Sequence, residues 1–171
     1  VKLRLAGESG ATLALGFALI AAAAAVAQGP AGPPDRSRDI AWMNAQQAAL
    51  AKRAAEPGWQ SLDGGLLWRR VAGDGSGAHP TPQDTVTVHY TGTFTDGGVF
   101  DTSEGGEPVT FPLGKLIPAW KLAIPQMGVG DTIEIAAPAA LAYGTKGKGP
   151  IPGGATLLFT VRLLAIGESA G

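Results

Sequence analysis

Hydrophobic and polar positions change period several times along this chain. Across 84–94 Val86, Val88 and Tyr90 alternate with Thr85, Thr87, His89 and Thr91, which predicts a strand with one buried face. Asp96-Gly97 is a pair that reverses a hairpin, so Val99-Phe100-Asp101 is expected to return beside that strand. Further short runs predict strands at 66–71, 109–111, 132–137 and 155–166, the last with Leu157, Phe159, Val161 and Leu163 on one side. Among them sits Leu116-Ile117-Pro118-Ala119-Trp120, introduced by Gly114 and followed by a short run that Pro125 closes, which predicts a helical turn carrying Trp120. Five or six short strands with hairpin-like connections and one short helix imply an α+β fold, an antiparallel sheet wrapped around a short helix. The Gly/Pro-dense stretches 73–82 and 144–154 are expected to be loops, the second long and flexible.

The N-terminal part has a different pattern. Lys2 and Arg4 precede an apolar run from Ala11 to Ala27 that ends in Ala25-Val26-Ala27, the small residues a signal peptidase reads. Residues 1–27 are therefore expected to be a signal peptide cleaved after Ala27, placing the protein in the periplasm or outside the cell, with membrane contact only through the leader. As an anchor the run falls short of the roughly 20 strongly apolar residues a bilayer needs. Residues 28–37 predict a Pro/Gly linker. Residues 38–55, with Ile40, Met43, Gln47 and Leu50 near helical spacing and Ser37 as a possible cap, predict a helix. That helix is either a solvated element lying on the domain surface or a partner helix using Trp42, Met43 and Leu50; a monomer is favoured over a helix-mediated dimer. A second linker at 56–64 leads to the folded domain, expected at 65–167.

Composition narrows the chemistry. Among 171 residues, 13 Lys and Arg stand against 14 Asp and Glu, so the basic excess of a nucleic-acid binder is missing. There is no cysteine, which excludes disulfides, thiolate nucleophiles and Cys-ligated zinc. His79 and His89 lack metal-ligand spacing, so no metal site is expected. Ser61, Ser76 and Ser103 lack the setting of a nucleophile elbow. Residues 144–149 lack the spacing of a phosphate-binding loop. What remains is an aromatic and aliphatic set, Tyr90, Phe100, Phe111, Ile117, Trp120, Tyr143 and Phe159, with Asp101 after Phe100 and Tyr143 at the mouth of a loop. A lone inward aromatic is ordinary core; the whole set, with a carboxylate and a phenol at its rim, has the make-up of a ligand cleft.

In order along the chain, Thr87-Val88-His89-Tyr90-Thr91-Gly92, Asp96-Gly97-Gly98-Val99-Phe100-Asp101-Thr102-Ser103, Phe111-Pro112-Leu113-Gly114, Leu116-Ile117-Pro118-Ala119-Trp120, Gln126-Met127-Gly128-Val129-Gly130, Leu141-Ala142-Tyr143-Gly144 and Ala155-Thr156-Leu157-Leu158-Phe159 resemble the FKBP-type peptidyl-prolyl cis-trans isomerases. With its leader and helix the chain is similar to the exported bacterial branch of that family. The resemblance implies a half-barrel sheet on a short helix and a proline pocket floored by Trp120. It implies walls from Tyr90, Phe100, Phe111, Tyr143 and Phe159, thinner at Val109, with Leu116 and Ile117 above the floor. It places Asp101 and Tyr143 nearest the reacting bond as the catalytic pair and gives the Ile117 N–H a substrate carbonyl to hold. It implies no cofactor, proline-containing or unfolded exported polypeptides as partners, and a tacrolimus-like macrolide as a ligand. The chain departs from the family pattern at Val109, where an aromatic is common, and in the 104–107 loop, which lacks the arginine that often pairs with the pocket aspartate. A proline-binding chaperone module with weak or no catalysis is the alternative reading.

Overall fold

The computed structural model describes residues 35–168; the leader expected at 1–27, and 28–34 of the expected linker, lie outside them. The strand with the clearest alternation, β3 (Thr85–Thr93), buries every second residue, and Val86 and Val88 are 0% exposed. On one edge it pairs with β7 (Leu157–Gly167), the longest strand, through antiparallel partners from Thr85↔Gly167 to Thr93↔Leu158. On its other edge it meets β4 (Val99–Thr102) and β5 (Val109–Pro112) in succession. The sheet continues beyond β7 through β6 (Thr132–Ala137), β2 (Leu67–Ala72) and β1 (Gln60–Ser61), every pairing antiparallel.

Seven strands are present among the described residues, against five or six expected. The additional one is β1, two exposed residues inside the stretch expected to be a linker; a strand that buries nothing leaves no periodic signal. Against the sheet lies α2 (Pro118–Ala123), whose Pro118 sits at the first helical turn, where no backbone donor is needed. A 3-10 turn, Ile124–Gln126, ends it. Ala119, Trp120, Ala123 and Ile124 are all 0% exposed and form the centre of the core with Val161, Leu157 and Ile133.

The end of α2 is pinned by Asp131, at the entrance to β6. Its carboxylate accepts from the backbone N–H of Gly128 at 2.9 Å, the N–H of Gly75 at 3.1 Å and Arg70 Nε at 2.9 Å, while Arg70 also donates to the Gln126 carbonyl at 3.0 Å. A Cβ on Gly73 would lie 2.0 Å from Asp131 Oδ1, so the chain can pass this carboxylate only as glycine. The knot ties the loop after β2, the end of α2 and the start of β6 to one charge.

The N-terminal helix, α1 (Ile40–Ala54), lies on the chain's own body. Its cap is Asp39, whose side chain accepts from Trp42 N at 3.0 Å; Ser37 does not cap it. The inward residue is Gln46, 4% exposed, which accepts from Thr156 N at 2.9 Å, and Ile40 points out at 77% exposure. The expected stripe through Ile40 and Gln47 is thus rotated, because a buried backbone N–H outside the strand ladder selects an amide oxygen over an apolar contact. Part of the expected 28–37 linker is packed too: Asp35 bridges Gly153 and Arg36 N donates to the Gly153 carbonyl. Among the described residues no helix is long and apolar enough to cross a membrane.

Asp131→Ala should destabilise the protein by about 2–3 kcal/mol in urea unfolding, because two backbone donors and a guanidinium lose one acceptor. Burial acts to raise the Asp131 carboxyl, but the Gly128 and Gly75 N–H groups and Arg70 outweigh it and hold it below the usual carboxylate range. Its stabilisation is therefore complete above about pH 4 and fades as pH falls through the lowered native value. Asp131→Asn should flatten that acid limb, measured as unfolding free energy between pH 6 and pH 2.

Candidate functional site

Three strands and one helix bring the aromatic set together. Tyr90 from β3, Phe111 from β5 and Phe159 from β7 surround Trp120 of α2, with ring centroids 5.4, 6.3 and 5.6 Å away and planes at 82°, 85° and 88° to the indole. Edges of three rings thus meet Trp120, the arrangement that aromatic quadrupoles favour. Phe100 of β4 continues the wall at 5.8 Å from Phe159. The tip of its ring stands against Gly92, where a Cβ would come within 2.5 Å of Cζ, so a larger residue in the His-Tyr-Thr-Gly run would displace this ring.

Exposure separates a floor from a rim. Trp120 is 0% exposed, and Tyr90, Phe159, Ile117, Leu116 and Phe111 are 6% or less, so these residues are core as well as site. Phe100, Asp101, Val109 and Tyr143 are half-buried and form the edge that solvent reaches. Trp120 is enclosed in this state by the three rings packed around it.

The polar groups gather at the rim. Tyr90 Oη donates to Asp101 Oδ2 at 2.7 Å. Burial first, and then this bond and the Asp101 charge, drive the Tyr90 phenol far above its ordinary value. Burial and Asp101 also push the Tyr143 phenol up to about 12, which puts the carboxylate within electrostatic reach of both tyrosines. The ammonium of Lys148 lies 5.9 Å from the centre of the Tyr143 ring. Ile117 precedes α2, and its carbonyl accepts from Trp120 N and Lys121 N; its own N–H precedes the helix and takes no part in the helical bonding. Leu116 and Ile117 lie beside Trp120 in the core, and Val109 stands opposite Val88.

Two features escaped the sequence pattern. The 144–154 stretch is internally bonded rather than loose: Lys148 and Ile151 exchange backbone bonds at 2.9 Å, Gly154 N donates to Gly144 O at 2.9 Å, and Ile151 is 1% exposed. A lone aliphatic between prolines was the available signal. Ser103 is the other, a serine 8% exposed whose Oγ accepts from Tyr90 N at 2.9 Å. Elsewhere, a cleft of about 460 Å³ lined by Arg53, Trp59, Arg69, Thr95 and Glu134 lies apart from Trp120. Arg69 and Glu134 are paired there at 2.6 Å. Among the described residues no three His, Cys, Asp or Glu side chains are grouped so as to hold a metal ion.

The family model described as FKBP-type peptidyl-prolyl cis-trans isomerase matches residues 76–164. The chain is 47% identical over 122 residues to "FKBP-type peptidyl-prolyl cis-trans isomerase FkpA" of Aeromonas hydrophila, covering 71% of this chain and 45% of that protein. It is 42% identical over 125 residues to "Outer membrane protein MIP" of Legionella longbeachae, covering 72% and 53%. The crystal structure of FkpA from Escherichia coli superposes with a TM-score of 0.72 at 37% identity, covering 77% of this chain and 62% of that one. The chain spans about half the length of these two curated relatives.

Tyr90 and Tyr143 are the only tyrosines, so absorbance of tyrosinate reports on this site alone. At pH 10, where an unperturbed phenol is about half ionised, the native protein should show almost no tyrosinate, and Tyr143 should ionise near 12. Both native values lie above the unfolded one, so their stabilisation is complete below about pH 10 and is lost as pH rises further. Asp101→Asn removes the negative charge and should move the Tyr143 midpoint down. An unchanged midpoint would separate Asp101 from Tyr143.

Proposed function

Because the chain belongs to the FKBP-type peptidyl-prolyl cis-trans isomerase family, we propose that it catalyses rotation about X-Pro peptide bonds in exported polypeptides, with Asp101 and Tyr143 at the reacting bond. The observation that carries this reading is a carboxylate fixed by a phenol, Tyr90 Oη to Asp101 Oδ2 at 2.7 Å, at the rim of a nest of aromatic rings. Such a site has nothing to attack a substrate with, and this reaction needs no attack. The barrier of about 18–20 kcal/mol comes from breaking amide resonance.

In the twisted state the amide nitrogen no longer donates to the carbonyl. The bond loses charge separation along C–N, which an apolar surround favours, and the carbonyl carbon becomes more electron-poor. Asp101, held by Tyr90, lies against that carbon and stabilises the twisted state more than the planar one, which is the condition for a rate effect. The Ile117 N–H and the Tyr143 hydroxyl hold carbonyl oxygens, while the prolyl ring docks on Trp120 between Tyr90, Phe111 and Phe159. Leu116, Val109 and Phe100 exclude water around it. Lowering the barrier by about 5–8 kcal/mol gives on the order of four to six decades in rate. No cofactor takes part.

Export of the mature chain is part of the same proposal. It is supported by the leader pattern of residues 1–27 and by the name of the Legionella longbeachae relative, "Outer membrane protein MIP".

The test is cis-to-trans conversion of a proline tetrapeptide with protein beginning at Gln28. Acceleration at micromolar enzyme is expected, inhibited by a tacrolimus-like macrolide. Asp101→Ala and Tyr143→Ala should each lower kcat/KM about tenfold or more, a loss of at least 1.4 kcal/mol of transition-state stabilisation. Binding of a proline peptide with no acceleration would replace the enzyme with a proline-capturing chaperone module.

A further inference from the structure

We propose that Ser103 is a positioning residue for this reaction, acting through the backbone and side chain of Tyr90 to hold Asp101 at the rim; the inference rests on the function proposed above. Ser103 follows β4 directly and is 8% exposed. Its Oγ accepts from Tyr90 N at 2.9 Å and lies 3.3 Å from His89 Nδ1, while Ser103 N donates to Tyr90 O at 2.9 Å. Thr102 Oγ1 adds a second bond to the same carbonyl at 3.1 Å. Both backbone groups of Tyr90 are therefore bound by the residues that follow Asp101 in the chain.

A serine hydroxyl has one proton and two lone pairs. Tyr90 N–H takes one lone pair, and His89 Nδ1 at 3.3 Å takes either the proton or the second lone pair, according to the His89 tautomer. Every strong bonding direction at Oγ but one is then used. The consequence runs down the Tyr90 side chain, whose hydroxyl ends on Asp101 Oδ2. A tilt of about 10° at Tyr90, carried along a side chain roughly 6.5 Å long, moves that hydroxyl by about 1 Å, beyond the tolerance of about 0.5 Å for a productive site. Alanine at 103 frees the N–H of Tyr90 and permits such a tilt, and threonine retains the hydroxyl.

The experiment uses the full chain and Ser103→Ala and Ser103→Thr variants. Protein labelled with 13C at tyrosine Cζ gives two resonances, assigned through Tyr143→Phe, and the Tyr90 signal reports the hydrogen bond to Asp101 independently of turnover. Ser103→Ala should shift the Tyr90 signal toward its position in Asp101→Asn and lower kcat about tenfold with KM within twofold, and Ser103→Thr should restore both. A Tyr90 signal unmoved by Ser103→Ala overturns the positioning role, as does a full kcat in that variant. A wild type without isomerase activity would sink the proposed reaction, and the Tyr90 signal would then decide by itself whether Ser103 positions Asp101.

Discussion

Everything in this structure converges on one indole. Trp120 has no exposed surface and receives the edges of Tyr90, Phe111 and Phe159, each from a different strand. Each such pair adds about 0.5–1.5 kcal/mol to the burial it accompanies. A helix of six residues has too few turns to stand alone, so α2 persists because its one large side chain is gripped from three directions. The same contact fixes the relative positions of β3, β5 and β7. Fold and site are consequently not separable at the floor, and the half-buried Phe100, Val109 and Tyr143 pack against the same core from the rim.

This sharing explains why the floor is closed. A cavity left open beneath a proline-sized mouth would forfeit the dispersion contacts of every ring lining it. The covered state keeps those contacts. Of the half-buried aromatics at the rim, Phe100 and Tyr143, the first has its ring tip against Gly92. The polar geometry of the rim, Tyr90 to Asp101, is thus already set in this state.

What the sequence disclosed follows from what periodicity can carry. β3 and β7 were legible because alternating burial repeats over nine and eleven residues, and the turn carrying Trp120 because prolines bracket it. β1 was not legible, since two exposed residues have no pattern, and neither was the inward face of α1, decided by one amide bond from Thr156 to Gln46. Asp131 looked like a turn residue after Gly130; its three donors come from segments up to 61 positions away, which no local reading reaches. The identity of the site aromatics was legible through motif order, but the covering of Trp120 was not, because exposure depends on how rings from four distant segments meet.

The departure of the 104–107 loop from the family pattern acquires a meaning from this geometry. An arginine beside the pocket aspartate would orient it and also offset its charge. Here orientation comes from a neutral donor, the Tyr90 hydroxyl, which binds Oδ2 at 2.7 Å. The ion pairs found among the described residues lie elsewhere, at Arg36–Asp39, around Arg69 and at Arg70–Asp131. The carboxylate field in the cleft is felt instead by the two phenols, both held in the neutral form. In the proposed reaction that field is the element that distinguishes a twisted amide from a planar one. A chain that restrains its aspartate through a tyrosine retains the restraint without diluting the charge, so the missing arginine removes a support the fold has already supplied from β3.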